Sequence, residues 1–206
     1  VVLKIGNVLQ NNSRQITNTL LKCLASNWQI VHRNYNEIEG LKAKGEMPYK
    51  KKDYNPYIEA FWEWWPDLFP DLHTFRITGG EPLLSKHTFK VIDYLLENPQ
   101  PNLHFAINTN ACPPGETQWK EFVDKIKILE DNNCIKRFVL FVSAESKGAQ
   151  AEYNRYGMDW TMFTDNIKYY LKHTSSSCVF MSAFNVLSIP TFLPFLKYVS
   201  RLKSGY

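Results

Sequence analysis

The stretch Phe75-Arg76-Ile77-Thr78-Gly79-Gly80-Glu81-Pro82-Leu83-Leu84 decides how the rest of this chain is read. Its first half completes an apolar run, residues 72–77, of the kind that forms a buried strand, and its second half is a turn, since Gly and Pro punctuate regular structure. Two adjacent glycines directly after a strand let backbone groups approach a ligand without Cβ obstruction, and a carboxylate beside them can accept from an ammonium group. A tight strand-to-helix turn accounts for the same letters without a ligand.

Working outward, four further runs rich in Val, Ile, Phe and Leu read as strands: residues 2–5, 103–107, 138–142 and 179–184. Between them lie helical patterns. Phe89, Ile92 and Leu96 share one face, as do Trp119, Phe122, Val123, Ile126 and Leu129, then Phe163, Ile167, Tyr170 and Leu171, then Phe192, Phe195, Leu196 and Val199. Asn55-Pro56 is a helix start that launches residues 57–65, and Pro66 and Pro70 are expected to stop that helix. In the stretch Phe61-Trp62-Glu63-Trp64-Trp65, the face carrying Tyr57, Phe61 and Trp65 is expected to be core rather than a stacking platform.

After residue 72 the strands recur at intervals of roughly 30–40 residues, the size of a βαβ unit. Such units make parallel strands with right-handed crossovers. Periodicity does not separate an open sheet from an arc of a (β/α) barrel, but in both, ligands gather at the carboxyl ends of the strands. Those ends are Gly6-Asn7, Thr78-Gly79-Gly80-Glu81-Pro82, Asn108-Thr109-Asn110, Ser143-Ala144-Glu145 and Asn185, a polar rim.

Composition narrows the class. The 206 residues are 44% hydrophobic and 15% aromatic, which excludes a disordered chain. No apolar run approaches the roughly 18 residues of a membrane span, and Lys4 interrupts the apolar start, so a cytoplasmic protein without a membrane partner is expected. A net charge of +4, with Lys50-Lys51-Lys52 as its longest basic run, does not indicate nucleic acid. The cysteines, Cys23, Cys112, Cys134 and Cys178, are at least 22 positions apart, which excludes a CxxC-type zinc site. The last three are expected as small buried hydrophobes. His32, His73, His87, His104 and His173 form no HxH or HExxH pair, and His73 and His104 fall near strand starts, away from the rim.

Thr78-Gly79-Gly80-Glu81-Pro82 resembles the GGEP motif of the radical S-adenosylmethionine superfamily. The segment running from Asn55-Pro56 to Trp64-Trp65-Pro66-Asp67-Leu68 resembles its branch of twitch-domain-containing proteins. Similar phrases follow in Ala106-Ile107-Asn108-Thr109-Asn110, in Ala151-Glu152-Tyr153-Asn154-Arg155-Tyr156-Gly157 and in residues 180–185. The resemblance covers about residues 50–206 and implies an α/β fold, a partial (β/α) barrel. About five βα units are present, in a single incomplete core domain spanning residues 1–206. The family's sixth strand is not visible, and an incomplete barrel leaves a strand edge unpaired.

By the same resemblance, Gly79, Gly80, Glu81 and Pro82 would meet the amino group of S-adenosylmethionine. Ser143 and Arg155 would hold its carboxylate and ribose; a guanidinium fork suits a carboxylate. Glu145 and Asn108 would contact ribose or substrate, and Asn185 would lie near the adenine. The residue-level alternatives are a surface ion pair of Arg155 with Glu152 or Asp159, and turn capping by Asn108 and Asn185.

The family's chemistry uses a [4Fe–4S] cluster on three thiolates in a C-x3-C-x2-C loop after the first strand, because soft sulfur binds such clusters. In this chain those positions fall on Leu9, Ser13 and Ile16, and Cys23 is the only thiol nearby. The chain as written holds no such ligand set. Similarity returns at Ser26-Asn27-Trp28-Gln29, so the break is local. It reads either as a pseudoenzyme that lost its cluster or as a compensated frameshift or assembly error across about residues 9–25. Three functions compete. The first is an enzyme that cleaves S-adenosylmethionine reductively to a 5′-deoxyadenosyl radical, taking electrons from a flavodoxin- or ferredoxin-type donor and hydrogen from an unknown substrate. The second is a cluster-less binding protein keeping the nucleotide-like pocket. The third, an unrelated nucleotide-binding protein, lacks GxGxxG and GxxxxGK[ST].

Overall fold

The computed structural model describes Ala43, which is helical, and residues 55–205. The chain divides into two compact units, Val1–Trp64 and Trp65–Tyr206, and the second carries the sheet. The strand expected at residues 2–5, the Gly6-Asn7 end, the positions Leu9, Ser13 and Ile16, and Cys23 lie outside the described residues.

Helix α1, Pro56–Leu68, begins as its sequence dictates. The Asn55 side chain accepts from the Tyr57 amide at 3.1 Å, and Pro56 takes the first helical position, where a missing N–H costs nothing. Its end corrects the expectation: the helix runs through Pro66 to Leu68. Proline's fixed φ is itself helical, so Pro66 removes one amide donor near the last turn without ending the coil there. Pro70 falls in the first positions of a 3-10 turn, Phe69–Asp71, that turns the chain into the sheet.

The order thereafter alternates strand and helix: β1 Thr74–Ile77, a 3-10 turn Pro82–Leu84, α2 Lys86–Glu97, β2 Gln100–Thr109, α3 Glu116–Asp131, β3 Ile135–Ser143, α4 Ala149–Asn154, α5 Trp160–His173, β4 Ser177–Met181, a 3-10 turn Val186–Ser188 and α6 Ile189–Gly205. The helical faces read from spacing all fall inside these helices. Strands β2 and β3 extend further toward their amino ends than their apolar runs. Strand β4 stops at Met181 instead of residue 184, where Ser182 Oγ turns to donate to the Ala144 carbonyl at 2.7 Å.

All pairings are parallel, in the order β1-β2-β3-β4. The order never reverses, so right-handed crossovers stack their helices on one face. Ring contacts show that face directly. Trp65 of α1 meets Phe75 of β1, which stacks on Phe105 of β2; Phe105 meets Phe138 of β3, which meets Phe122 of α3; Phe163 of α5 and Phe195 of α6 meet Phe180 of β4. Phe105, Ile107, Leu140, Phe122 and Phe163 are fully buried there. Aromatic burial of this extent supplies about 1.5–3 kcal/mol per side chain, the main term that holds the layer together.

The opposite face is built from the alternate residues, Arg76, His104, Asn108, Phe141, Ser143 and Met181 among them, and these are exposed or half-buried. Among the described residues no helix covers it, whereas parallel sheets are usually covered on both faces. The result is an α/β fold with a four-stranded parallel sheet.

Two burial expectations are corrected. Trp65 is core, 1% exposed and packed against Phe69, Phe75 and Tyr94, whereas Tyr57 on the same helical face is 79% exposed. Cys134 is buried, whereas Cys112 and Cys178 are half-buried. Cys112 follows the end of β2, and Cys178 sits on β4, which has a single neighbouring strand in the described sheet. No described helix is long and apolar enough to cross a membrane.

Candidate functional site

The carboxyl ends of β1, β2 and β3 hold most of the expected residues. After β1 the chain passes through Gly79 at φ +92° and Gly80 at φ +53°, both exposed. A Cβ built on either glycine meets nothing within 4 Å, so the backbone conformation, not space, demands glycine here. The exposed backbone of this loop is therefore open to a ligand.

Glu81 closes the loop against the neighbouring strand. Its Oε1 accepts from the Leu83 amide at 3.2 Å and from Thr109 Oγ1 at 2.7 Å, and its Oε2 accepts from the Asn110 amide at 2.7 Å. The first of these caps the 3-10 turn that begins with the buried Pro82. Gln118 of α3 donates to the Leu83 carbonyl and ties the same turn to the helix layer. Glu81 thus spends most of its acceptor capacity inside the protein, and an ammonium group at this loop would meet chiefly the carbonyls beside it.

Thr109 was not singled out by the sequence. It is 3% exposed, it donates to Glu81, and its Oγ1 accepts from the Ala111 amide at 3.0 Å. Ala111 follows at φ +55°, a left-handed conformation rare for alanine, and is fully buried. The signal was present: strand alternation turns Thr109 away from Asn108, into the helix layer, where a hydroxyl needs a partner.

Asn108 points to the open face. Its Oδ1 accepts from Arg76 Nε at 2.7 Å, so it caps no turn. Arg76 also directs Nη2 toward Met181 Sδ at 3.3 Å and places its guanidinium carbon 3.9 Å from the centre of the Phe141 ring. Four strands thereby contribute one side chain each to a single cluster. Ser143, in register with Met181, lies half-buried on the same face.

Glu145 and Arg155, expected to act separately on a bound cofactor, face each other. Arg155 Nε and Nη2 both reach Glu145 Oε2, at 3.1 and 2.5 Å, and Glu145 is 4% exposed. The partners read from sequence proximity are engaged elsewhere: Glu152 accepts from the Trp160 amide, and Asp159 caps α5 by accepting from the Met162 amide. Asn185 accepts from the Leu187 amide at 2.9 Å and donates to the Ala183 carbonyl, the capping role.

Two cavities lie away from the glycine loop. One of about 390 Å³ is lined by Trp119, Asp159, Asn166 and Tyr169 of α3 and α5 and the loop between. Another of about 250 Å³ lies at the amino ends of β3 and β4, beside Glu130, Arg137, Ser175 and Ser176. Among the described residues no three His, Cys, Asp or Glu side chains converge as metal ligands. Burial pushes the Cys112 thiol up to about 11 and the Cys178 thiol up to about 12, so both stay protonated at neutral pH, the opposite of what a thiolate ligand needs.

Compared with known proteins, the chain matches no family model, no curated protein and no solved structure.

Proposed function

We propose that this chain is a protein of the radical S-adenosylmethionine type, its sheet an arc of a (β/α) barrel, and that it binds S-adenosylmethionine at the carboxyl ends of its strands. The reading rests first on the motif phrases of the sequence. The observation that carries it in three dimensions is the Gly79-Gly80 backbone, exposed and left-handed at the carboxyl end of β1, with Glu81 anchoring it to β2. An uninterrupted strand order with helices on one face supports the barrel, since a doubly wound sheet reverses its order at the ligand crevice.

In this reading the carbonyls beside Gly79 and Gly80 accept from the cofactor's ammonium group. Pro82 and Leu83, both buried, fix the far end of the loop. Arg155 is oriented by Glu145 and keeps its Nη1 donors for the cofactor's carboxylate. Ser143 and Asn108 on the open face offer hydrogen bonds to ribose or substrate, and Asn185 stands beyond β4 for the adenine.

The [4Fe–4S] cluster does not fit this donor set. Leu9 and Ile16 carry no ligating atom and Ser13 no thiolate, so no radical step is derived for the chain as written. The conclusion is a cluster-less protein that retains the S-adenosylmethionine pocket. The enzyme reading is favoured by one observation, that the mismatch is confined to about residues 9–25 while the phrases on both sides match. It would restore the cluster, the electron donor and the substrate of unknown identity.

Calorimetric titration of the 206-residue chain with S-adenosylmethionine tests the binding proposal. Saturable binding is expected, weakened about tenfold or more by Gly79→Val. A folded chain that gives no saturable binding overturns it. Sequencing the codons for Gly6 to Trp28 in all three frames separates the two forms of the reading: a frame with C-x3-C-x2-C assigns the enzyme, and codons that stand as written assign the cluster-less protein.

A further inference from the structure

The open face of the sheet has a sign. None of the four strands contains an aspartate or glutamate, while Arg76 and Arg137 both project from the alternation that faces away from the helices. Arg137 is tied to Ser177 Oγ at 2.8 Å near the amino ends of the strands. Arg76 stands closer to the carboxyl ends, one strand row from Asn108.

Among the described residues, Arg76 is held in place by neutral groups only. Asn108 Oδ1 takes its Nε hydrogen, Met181 sulfur takes one Nη2 hydrogen, and the Phe141 ring covers one face of the guanidinium. Among the described residues no carboxylate forms a salt bridge with it, and the two rim carboxylates are committed, Glu81 to β2 and Glu145 to Arg155. A guanidinium has five N–H donors, so with respect to the described residues the Nη1 pair and the second Nη2 hydrogen remain, the end-on fork that receives both oxygens of a carboxylate. Around it Val139, Phe141, Val179 and Met181 are exposed or half-buried, an apolar floor beside one fixed positive charge.

We propose that this face binds a small carboxylic acid with an apolar or aromatic body, its carboxylate on the Arg76 fork and its body against Phe141, Val179 and Met181. A single fork suits one carboxylate; a phosphate carries more charge and generally draws further cationic donors than this cluster supplies. The proposal names the substrate class of the open face and rests on the reading above only in treating that face as a ligand cavity. Fixing Arg76 by stacking and by Asn108 prepays the ordering of a long side chain, which strengthens whatever the fork receives.

The test uses the full chain and three probes followed by ligand-observed NMR titration: 3-phenylpropionate, its neutral isostere 3-phenylpropionamide, and phenyl phosphate. The expected result is saturable binding of the carboxylate, at least tenfold weaker binding of the amide, and a loss of about tenfold or more in Arg76→Gln, with partial retention in Arg76→Lys. Equal binding of acid and amide to the unaltered chain overturns the proposal without reliance on any variant. Tighter binding of phenyl phosphate than of the acid also overturns it, reassigning the fork to phosphate. S-adenosylmethionine titrated into the same sample separates the two claims. Carboxylate binding without S-adenosylmethionine binding sinks the function reading and leaves this one standing, and the converse does the reverse.

Discussion

Arg155 brings two donors, Nε and Nη2, to the same oxygen of Glu145, and Glu145 is 4% exposed. The pair links the chain just after β3 to the end of α4, and each group neutralises the other where water cannot.

Removing one partner leaves the other stranded. Arg155→Ala is expected to destabilise the fold by about 2–3 kcal/mol, somewhat below the cost of a fully buried pair because the Arg155 side chain keeps 23% of its exposure. Replacing both, Glu145→Gln with Arg155→Met, is expected to recover most of that loss. Urea denaturation of the three variants checks it, and a double variant no better than Arg155→Ala would refute the pairing as the cause.

Glu81 presents two oxygens to three donors. Glu81→Gln keeps the shape but turns one acceptor into a donor facing either Thr109 or Asn110, at a cost of about 1–3 kcal/mol. Hydrogen exchange is expected to accelerate at whichever of the Leu83 and Asn110 amides loses its acceptor in Glu81→Gln, and at both in Glu81→Ala, because one side chain protects both. Acceleration of only one amide in Glu81→Ala would show that the loop is held by something other than Glu81.

At Gly80, with φ +53°, an asparagine is expected to cost a few tenths of a kcal/mol and a valine about 1–2 kcal/mol, since Asn tolerates the left-handed region and a β-branched residue does not. No atom lies within 4 Å of the added Cβ, so the difference isolates backbone strain from crowding. Thermal denaturation of Gly80→Asn and Gly80→Val reads it, and equal losses would contradict the left-handed assignment.

Cys112 and Cys178 titrate high because burial disfavours their thiolates, at about 11 and about 12. The unfolded chain releases these protons from about pH 8.5 upward while the folded chain retains them, so stability falls as pH rises through that window. Burial also raises the Tyr170 hydroxyl, which adds a loss of the same sign. The urea midpoint is expected to drop between pH 8.5 and 11, and Cys178→Ala to flatten part of the slope. A slope unchanged in that variant would place the titration elsewhere.

The helices were legible because their apolar spacing is local: Phe122 and Ile126 share a face whatever the chain does beyond them. The strands after residue 72 were legible in kind but not in length, since pairing partners decide where a strand ends. Thr109 hid behind its neighbours Asn108 and Asn110, because its value depends on a carboxylate 28 residues away. Arg155 carried a guess about its partner drawn from sequence proximity, and the fold chose Glu145, ten residues back, over the nearer acids.

What the sequence by itself determined is the alternation of strands and helices and the glycine turn after β1, because spacing and Gly-Gly conformational freedom act within a few residues. Only the tertiary structure decided that no helix among the described residues covers one face of the sheet and that Arg76, Asn108, Phe141 and Met181 meet upon it. Those four come from four strands, and no local rule sets the register that brings them side by side. Register follows from which faces find apolar partners, and that is settled by packing over the whole layer.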